Sequence, residues 1–193
     1  MNYLNESRNS FFASARERRL WLLTALLVLA IYSTLGLAAT LVAWLYGQAL
    51  MTIAFVAAML LTALTIVMVA LGVRPRGIEI GAWLGVAVVY FLVLLRLAIP
   101  ERSHLMEYGI VAVFILEALN ERAAHGRRVP LPPLLAIVAA AVIGAVDEML
   151  QLAIPSRVFD WMDMLFNLLA ATMAVAAAVF LRWVSGRVRQ KSV

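Results

Sequence analysis

The stretch that decides the fold is residues 20–73, LWLLTALLVLAIYSTLGLAATLVAWLYGQALMTIAFVAAMLLTALTIVMVALGV, in which no residue is charged. The hydrocarbon core of a bilayer is about 30 Å thick, and about 20 residues of α-helix cross it. The stretch is therefore long enough for two transmembrane helices, and the tripeptide YGQ at 46–48 indicates a turn between them. We predict a first span over residues 20–45 and a second over residues 50–72.

The whole chain is rich in apolar residues, as this stretch is. Of its 193 residues, 65% are hydrophobic and 14% are charged, and the mean hydropathy is +0.95. These values are typical of polytopic membrane proteins and exclude an ordinary soluble domain. The chain has no cysteine, which excludes disulfides and thiolate chemistry. The net charge of +5 does not indicate a nucleic-acid partner, because the basic residues flank apolar runs.

Four further spans are predicted after the uncharged stretch, over residues 80–99, 104–120, 131–152 and 160–183. The fourth span is weak by hydropathy, because Glu107 and Glu117 leave a short apolar stretch between them. Charge bias supports it nevertheless. With six spans, all but three of the 16 basic residues fall on the side that carries both termini. The positive-inside rule makes that side cytoplasmic. We therefore expect an all-α, polytopic membrane helix bundle of about six transmembrane helices with both termini in the cytoplasm.

Polar residues of the last three spans collect on the opposite, extracytoplasmic side. Residues three or four apart share a helix face. Such faces are formed by His104, Glu107 and Tyr108, by Asp147 and Gln151, and by Asp160, Asp163 and Asn167. Ionisable groups that face lipid cost a few kcal/mol or more, so we expect these faces to turn inward onto one site. Asp147 and Glu148 are adjacent and point about 100° apart, so they need separate partners.

The run DEMLQLAIPSRVFDWMDMLFN at 147–167 resembles the signature of the VanZ-like membrane proteins. That family has an Asp-Glu pair, a Gln three residues later, a Pro-x-Arg turn, and an Asp followed four residues later by an Asn. The upstream segment HLMEYGIVAVFILEAL at 104–119 is similar to the family's other marked segment, and the match covers about 101–178. Ser156 stands where the family usually has a glycine after the turn proline. Carried over by position, the family's marked residues are His104, Glu107, Tyr108, Asp147, Glu148, Gln151, Pro155, Arg157, Asp163 and Asn167.

The resemblance divides the chain and gives it a cellular setting. The four parts are a cytoplasmic tail (1–19), a two-helix extension (20–72), a VanZ-like four-helix membrane domain (73–184) and a basic cytoplasmic tail (185–193). The family is associated with low-level resistance to the glycopeptide teicoplanin, and no reaction is assigned to it. The resemblance thus implies a multi-pass protein of the bacterial cytoplasmic membrane, linked to resistance or to envelope maintenance.

Three classes of function remain open for the polar site. The first is a binding protein that recognises the headgroup of a membrane lipid or of a lipid-linked envelope precursor. The second is an intramembrane enzyme that acts on a lipid or polyprenyl headgroup. The third is a small proton-coupled carrier or flippase. The sequence does not decide whether catalysis occurs, and it does not indicate an oligomeric state.

The site residues receive candidate roles on their chemistry. Candidates for catalysis are His104, Glu107, Asp147 and Glu148. Candidates for binding are Tyr108, Gln151, Arg157, Asp163 and Asn167. A divalent cation is a candidate cofactor, because this side carries more acids than arginines; its candidate ligands are Asp147, Glu148 and Asp163.

Several of these residues also have plain structural interpretations. Arg157 would form a salt bridge with a nearby acid rather than bind an anion. His104 would cap a helix, Tyr108 would be an interfacial aromatic, and Gln151 and Asn167 would form hydrogen bonds between helices. At the cytoplasmic end of the fourth span, we expect Glu117, Glu121 and His125 to be solvated.

Overall fold

The computed structural model describes residues 11–46, 76–97, 99–154 and 159–190, with the backbone alone over 34–46 and 99–103. Within these residues the chain forms α-helices and no strand, which confirms the all-helical prediction. The helices are α1 (Ala15–Tyr46), α2 (Gly77–Arg96), α3 (Ile99–Ala124), α4 (Pro132–Gln151) and α5 (Trp161–Gln190). The predicted second span at 50–72 and the turn containing Pro155 and Arg157 lie outside the described residues.

Local polar groups decide where the helices begin. α1 begins earlier than residue 20, because the Ser14 hydroxyl accepts the backbone N–H of Glu17 at 3.0 Å and caps the helix. The Asp160 carboxylate caps α5 in the same way by accepting the N–H of Met162 at 2.8 Å. Pro132 opens α4 at the first helical position, where a missing N–H costs nothing.

Three of the described helices are long and apolar enough to cross a membrane, namely α2, α4 and α5. Their outer faces carry large apolar side chains. On α2, Leu84, Val88 and Leu92 are each more than half exposed and follow one another at intervals of four residues. A continuous apolar face of this length is disfavoured in water and favoured in lipid. These helices indicate a membrane protein.

α3 is the central helix of the bundle and packs against α1, α4 and α5. Residues with small side chains, alanines above all, let the backbones approach closely. The core contains Ile31 of α1, Val111, Ala112, Ile115 and Leu116 of α3, Ala136 and Ala140 of α4, and Ala171 and Val175 of α5. The last three predicted spans thus form one compact unit. The expectation that the first two spans are peripheral to this unit was wrong for the first span, because Ile31 belongs to the same core.

Ion pairs bring one end of α1, α3 and α5 together. Arg16 of α1 lies 2.7 Å from Glu121 of α3, and Arg182 of α5 pairs with Glu117 of α3. We call this end of the bundle, which also contains Arg122, the basic end. The expectation that Glu117 and Glu121 are merely solvated was wrong, because arginines from neighbouring helices reach their carboxylates.

Candidate functional site

Side chains from three helices meet at the end of the bundle opposite the basic end. α3 contributes its first turns, α4 its last turn and α5 its first turns, so the short connection between α4 and α5 keeps the last two contributions close. The residues that meet there are His104, Tyr108, Asp147, Glu148, Gln151, Asp163 and Asn167. We call this set the polar cluster. Every member was a candidate site residue in the sequence.

His104 is oriented by two residues of α5. Its Nδ1 lies 2.9 Å from the Asn167 side-chain oxygen, and its Nε2 lies 3.6 Å from a carboxylate oxygen of Asp163. The Asn167 amide nitrogen donates to the Gly144 carbonyl at 3.4 Å, so the amide oxygen is the atom that faces the imidazole. With the amide assigned in this way, the Asn167 oxygen accepts a hydrogen bond from the His104 Nδ1–H, which leaves Nε2 directed at Asp163.

Gly144 makes room for Asn167 in the packed interface between α4 and α5. A Cβ atom on Gly144 would lie 2.7 Å from both Cβ and Nδ2 of Asn167, closer than real Cβ contacts allow. The sequence prediction missed this residue. Its signal in the sequence was the spacing of small residues four apart, Ala136, Ala140 and Gly144, a stripe that the structure buries together with Glu148.

Glu148 is fully buried at the end of α4. One carboxylate oxygen accepts a hydrogen bond from the Gln151 side chain at 2.8 Å, and the other accepts the backbone N–H of Asp160 at 3.4 Å. The sequence placed Gln151 on the face of Asp147, but the structure pairs it with Glu148. The difference arises because a separation of three residues also brings side chains onto one helix face.

Asp147 has a different set of neighbours. Its carboxylate is almost completely buried, lies beside the Tyr108 hydroxyl, and interacts electrostatically with Tyr32. Tyr108 is itself fully buried, so it is not an interfacial aromatic. Tyr32 comes from α1 and also donates to the Ile143 carbonyl at 2.8 Å, and the sequence prediction did not include it. The two adjacent acids thus meet separate partners, as their rotation about the helix requires.

Three members of the polar cluster come together in a way that suits a metal ion. One ligand atom each from His104, Glu148 and Asp163 lies within 4.8 Å of the other two. The predicted set contained Asp147 in place of His104. The Glu148 side chain is fully buried, whereas His104 and Asp163 retain 12% and 22% exposure, so the group opens towards the surface on one side.

The remaining predicted residues lie at the margin of the cluster. Glu107 is half-buried on α3, close enough to Tyr108 to interact with it electrostatically. Asp160 is exposed and caps α5. Arg157, the predicted anion-binding residue, is outside the described residues.

Comparisons of the chain with protein families, with curated proteins and with solved structures gave no match. The resemblance to the VanZ-like proteins therefore stays a prediction.

Proposed function

We propose that this chain is a VanZ-like protein of the bacterial cytoplasmic membrane with six spans and both termini in the cytoplasm. The described helices support the count. α1 begins at the basic end, and α2 begins there too, because the Arg76 guanidinium donates to the Val188 carbonyl near the end of α5 at 3.0 Å. α1 and α2 thus begin at the same end, which agrees with a predicted second span over residues 50–72, and the uncharged stretch is long enough for that span.

The separation of the two ends supports a transmembrane orientation for α3. At 1.5 Å per residue, His104 and Arg122 lie about 27 Å apart along the helix, close to the roughly 30 Å thickness of a hydrocarbon core. The polar cluster and the basic end would then lie near opposite membrane surfaces. Because arginine-rich ends stay in the cytoplasm, the polar cluster would face outward.

The function that we propose is recognition of the headgroup of a membrane lipid or lipid-linked envelope precursor from the outer leaflet. The observation that carries it is the burial of Asp147, Glu148 and Asn167 beside the partly exposed His104 and Asp163. Burying several carboxylates together in a membrane interior costs free energy, and such groups usually mark a functional site such as a binding site. Carboxylate and amide oxygens accept hydrogen bonds from hydroxyl and ammonium groups, which lipid headgroups supply. Through such binding the protein would affect envelope maintenance and glycopeptide resistance.

Lipid retention by matched variants tests this proposal. Glu148→Gln removes the charge of a buried acid in the polar cluster, and Glu79→Gln makes the same change at a buried acid of α2 near the basic end. The full chain would be extracted into nanodiscs from a bacterial host, and the co-purified lipids would be measured by native mass spectrometry. We expect Glu148→Gln to retain at least tenfold less lipid than the wild type and to lose protection against teicoplanin. Glu79→Gln should keep both. Equal retention by both variants would contradict the proposal.

A second candidate function is an intramembrane enzyme acting on the same headgroup. The orientation of His104 favours it, because an imidazole whose Nδ1–H is held by the Asn167 oxygen keeps Nε2 available to act as a general base. The nanodisc experiment separates the two functions. Binding alone leaves the retained lipid chemically unchanged, whereas catalysis releases cleaved headgroup in an amount that increases with time.

A further inference from the structure

We infer that His104, Glu148 and Asp163 form a binding site for one divalent transition-metal ion of the Zn²⁺ class. The site joins one nitrogen and two oxygen ligands from three different helices, α3, α4 and α5. Binding of the ion stands on this geometry alone. Its role at the headgroup, argued below, rests on the proposed function.

The orientation of His104 is the first argument. Its Nδ1–H is held by the Asn167 oxygen, so the lone pair of a neutral imidazole lies on Nε2, 3.6 Å from the Asp163 carboxylate. Two acceptors that face each other at this distance repel, and either a proton on Nε2 or a metal ion between the two atoms removes the repulsion. Metal-binding histidines usually donate their second ring N–H to a carbonyl or carboxylate oxygen, which fixes the ring in place. Here the side-chain oxygen of Asn167 is the acceptor that fixes the His104 ring.

The distances and the ligand types select the kind of metal. In tetrahedral coordination at about 2.0–2.1 Å, ligand atoms lie about 3.4 Å apart. His104 and Asp163 are already near this separation, and because all three ligand atoms lie within 4.8 Å of one another, the Glu148 carboxylate has at most about 1.4 Å to approach. A nitrogen ligand with two carboxylates suits Zn²⁺ or Mn²⁺ better than Ca²⁺ or Mg²⁺, which take oxygen ligands in larger number.

Three protein ligands leave one coordination position free. In zinc proteins that position binds water or a substrate oxygen. The group opens to the surface on the side of His104 and Asp163, so a headgroup oxygen can reach the ion from there. The metal would thus bind a phosphate oxygen of the lipid, which carboxylates alone would repel.

Metal content of the purified chain tests the site. The wild-type chain would be purified in detergent without chelators, and bound metal would be measured by mass spectrometry and by calorimetric titration with Zn²⁺. We expect about one ion per chain. His104→Gln, Glu148→Gln and Asp163→Asn should each weaken Zn²⁺ binding at least tenfold. His125→Gln and Glu79→Gln provide matched controls at the basic end and should bind as the wild type does.

Cobalt gives a readout that does not depend on any function of the protein. Co²⁺ in the site should show the intense visible absorption of tetrahedral coordination, and Zn²⁺ should remove it. A melting temperature for each variant shows that it is folded, and Asn167→Ala serves as a milder variant that displaces the imidazole without removing a ligand. It should weaken binding by about 10- to 100-fold. Equal Zn²⁺ affinity in the wild type and the ligand variants, or no binding by the folded wild type, would overturn the inference.

Chelation separates this inference from the proposed function. If the wild type binds Zn²⁺ but retains no lipid, the proposed function fails and the metal site stands. If lipid retention survives complete removal of the metal, the inferred role of the ion at the headgroup fails and headgroup recognition stands. Loss of lipid on chelation and its recovery with Zn²⁺ would support both.

Discussion

At the scale of single residues, the polar cluster depends on close contact between Gly144 and Asn167. The asparagine links two helices, because its side chain accepts a hydrogen bond from His104 of α3 and donates one to a backbone carbonyl of α4. It can do so because α4 has no side chain at the point of contact. The glycine of this site therefore has a steric role, and a methyl group is enough to test it.

We predict that Gly144→Ala destabilises the protein by about 1–3 kcal/mol, because the new Cβ overlaps the Asn167 side chain. Displacement of Asn167 also releases the His104 ring. The measurement is thermal unfolding in detergent. Gly85→Ala on α2 is the control, since its Cβ would meet nothing within 4 Å and alanine favours helix. Comparable losses of stability in the two variants would show that the contact is not specific.

At the scale of helices, the start of α1 is attached to the end of α3 by charged side chains. Glu17 is fully buried and its carboxylate pairs with Arg122 at 2.8 Å. Glu121 accepts from the Ser14 hydroxyl at 2.8 Å and pairs with Arg16. These contacts explain why the helix begins before the apolar residues of the first span.

The pKa values of both acids predict how this attachment responds to pH. Burial is the largest single influence on Glu17 and raises its pKa, but the Ala13 N–H together with Arg122 lowers that pKa overall, below the ordinary 4.5. The Ser14 hydroxyl, followed by Arg16, lowers the pKa of Glu121. A carboxyl whose folded pKa is lowered stabilises the folded state above its unfolded pKa. That stabilisation is lost as the pH falls through the folded value.

We therefore expect the attachment of residues 11–19 to α3 to weaken progressively as the pH falls below about 4.5, and to be complete at neutral pH. Hydrogen exchange of this segment between pH 7 and pH 3, corrected for intrinsic rates, measures the change. Glu17→Gln should raise exchange already at pH 7, and Glu79→Gln should leave this segment unaffected. Constant protection down to pH 3 would show that the apolar contacts of α1 suffice.

At the scale of the whole molecule, the six-span topology makes a prediction about the two sides of the membrane. Reporter fusions placed after Arg128 and at the C-terminus should both show cytoplasmic activity, whereas fusions at Gln48 and after Glu101 should show extracytoplasmic activity. The expectation follows from the arginines at the basic end, which resist translocation. Extracytoplasmic activity at the C-terminus would mean that the chain has one span fewer. The side of the membrane assigned to the polar cluster would then be wrong.

The sequence alone determined the class of the protein and the approximate positions of its described helices. Uncharged runs and proline breaks are local features, so α2, α4 and α5 could be located from residue order. The separate partners of Asp147 and Glu148 were also predictable, because the rotation per residue of an α-helix is constant. The ion pairs of Glu117 and Glu121 were not predictable. Their partners belong to helices far away in the chain.

Only the tertiary structure decided which polar groups meet. Spacing along one helix defines a face, but the rotation of each helix about its axis and its distance from the next depend on packing. Small residues on α4 bring α5 so close that Asn167 reaches both His104 and the backbone at Gly144. The same packing puts His104 rather than Asp147 beside Glu148 and Asp163. The candidate residues could thus be chosen from the sequence, but their pairing arises from contacts among three helices.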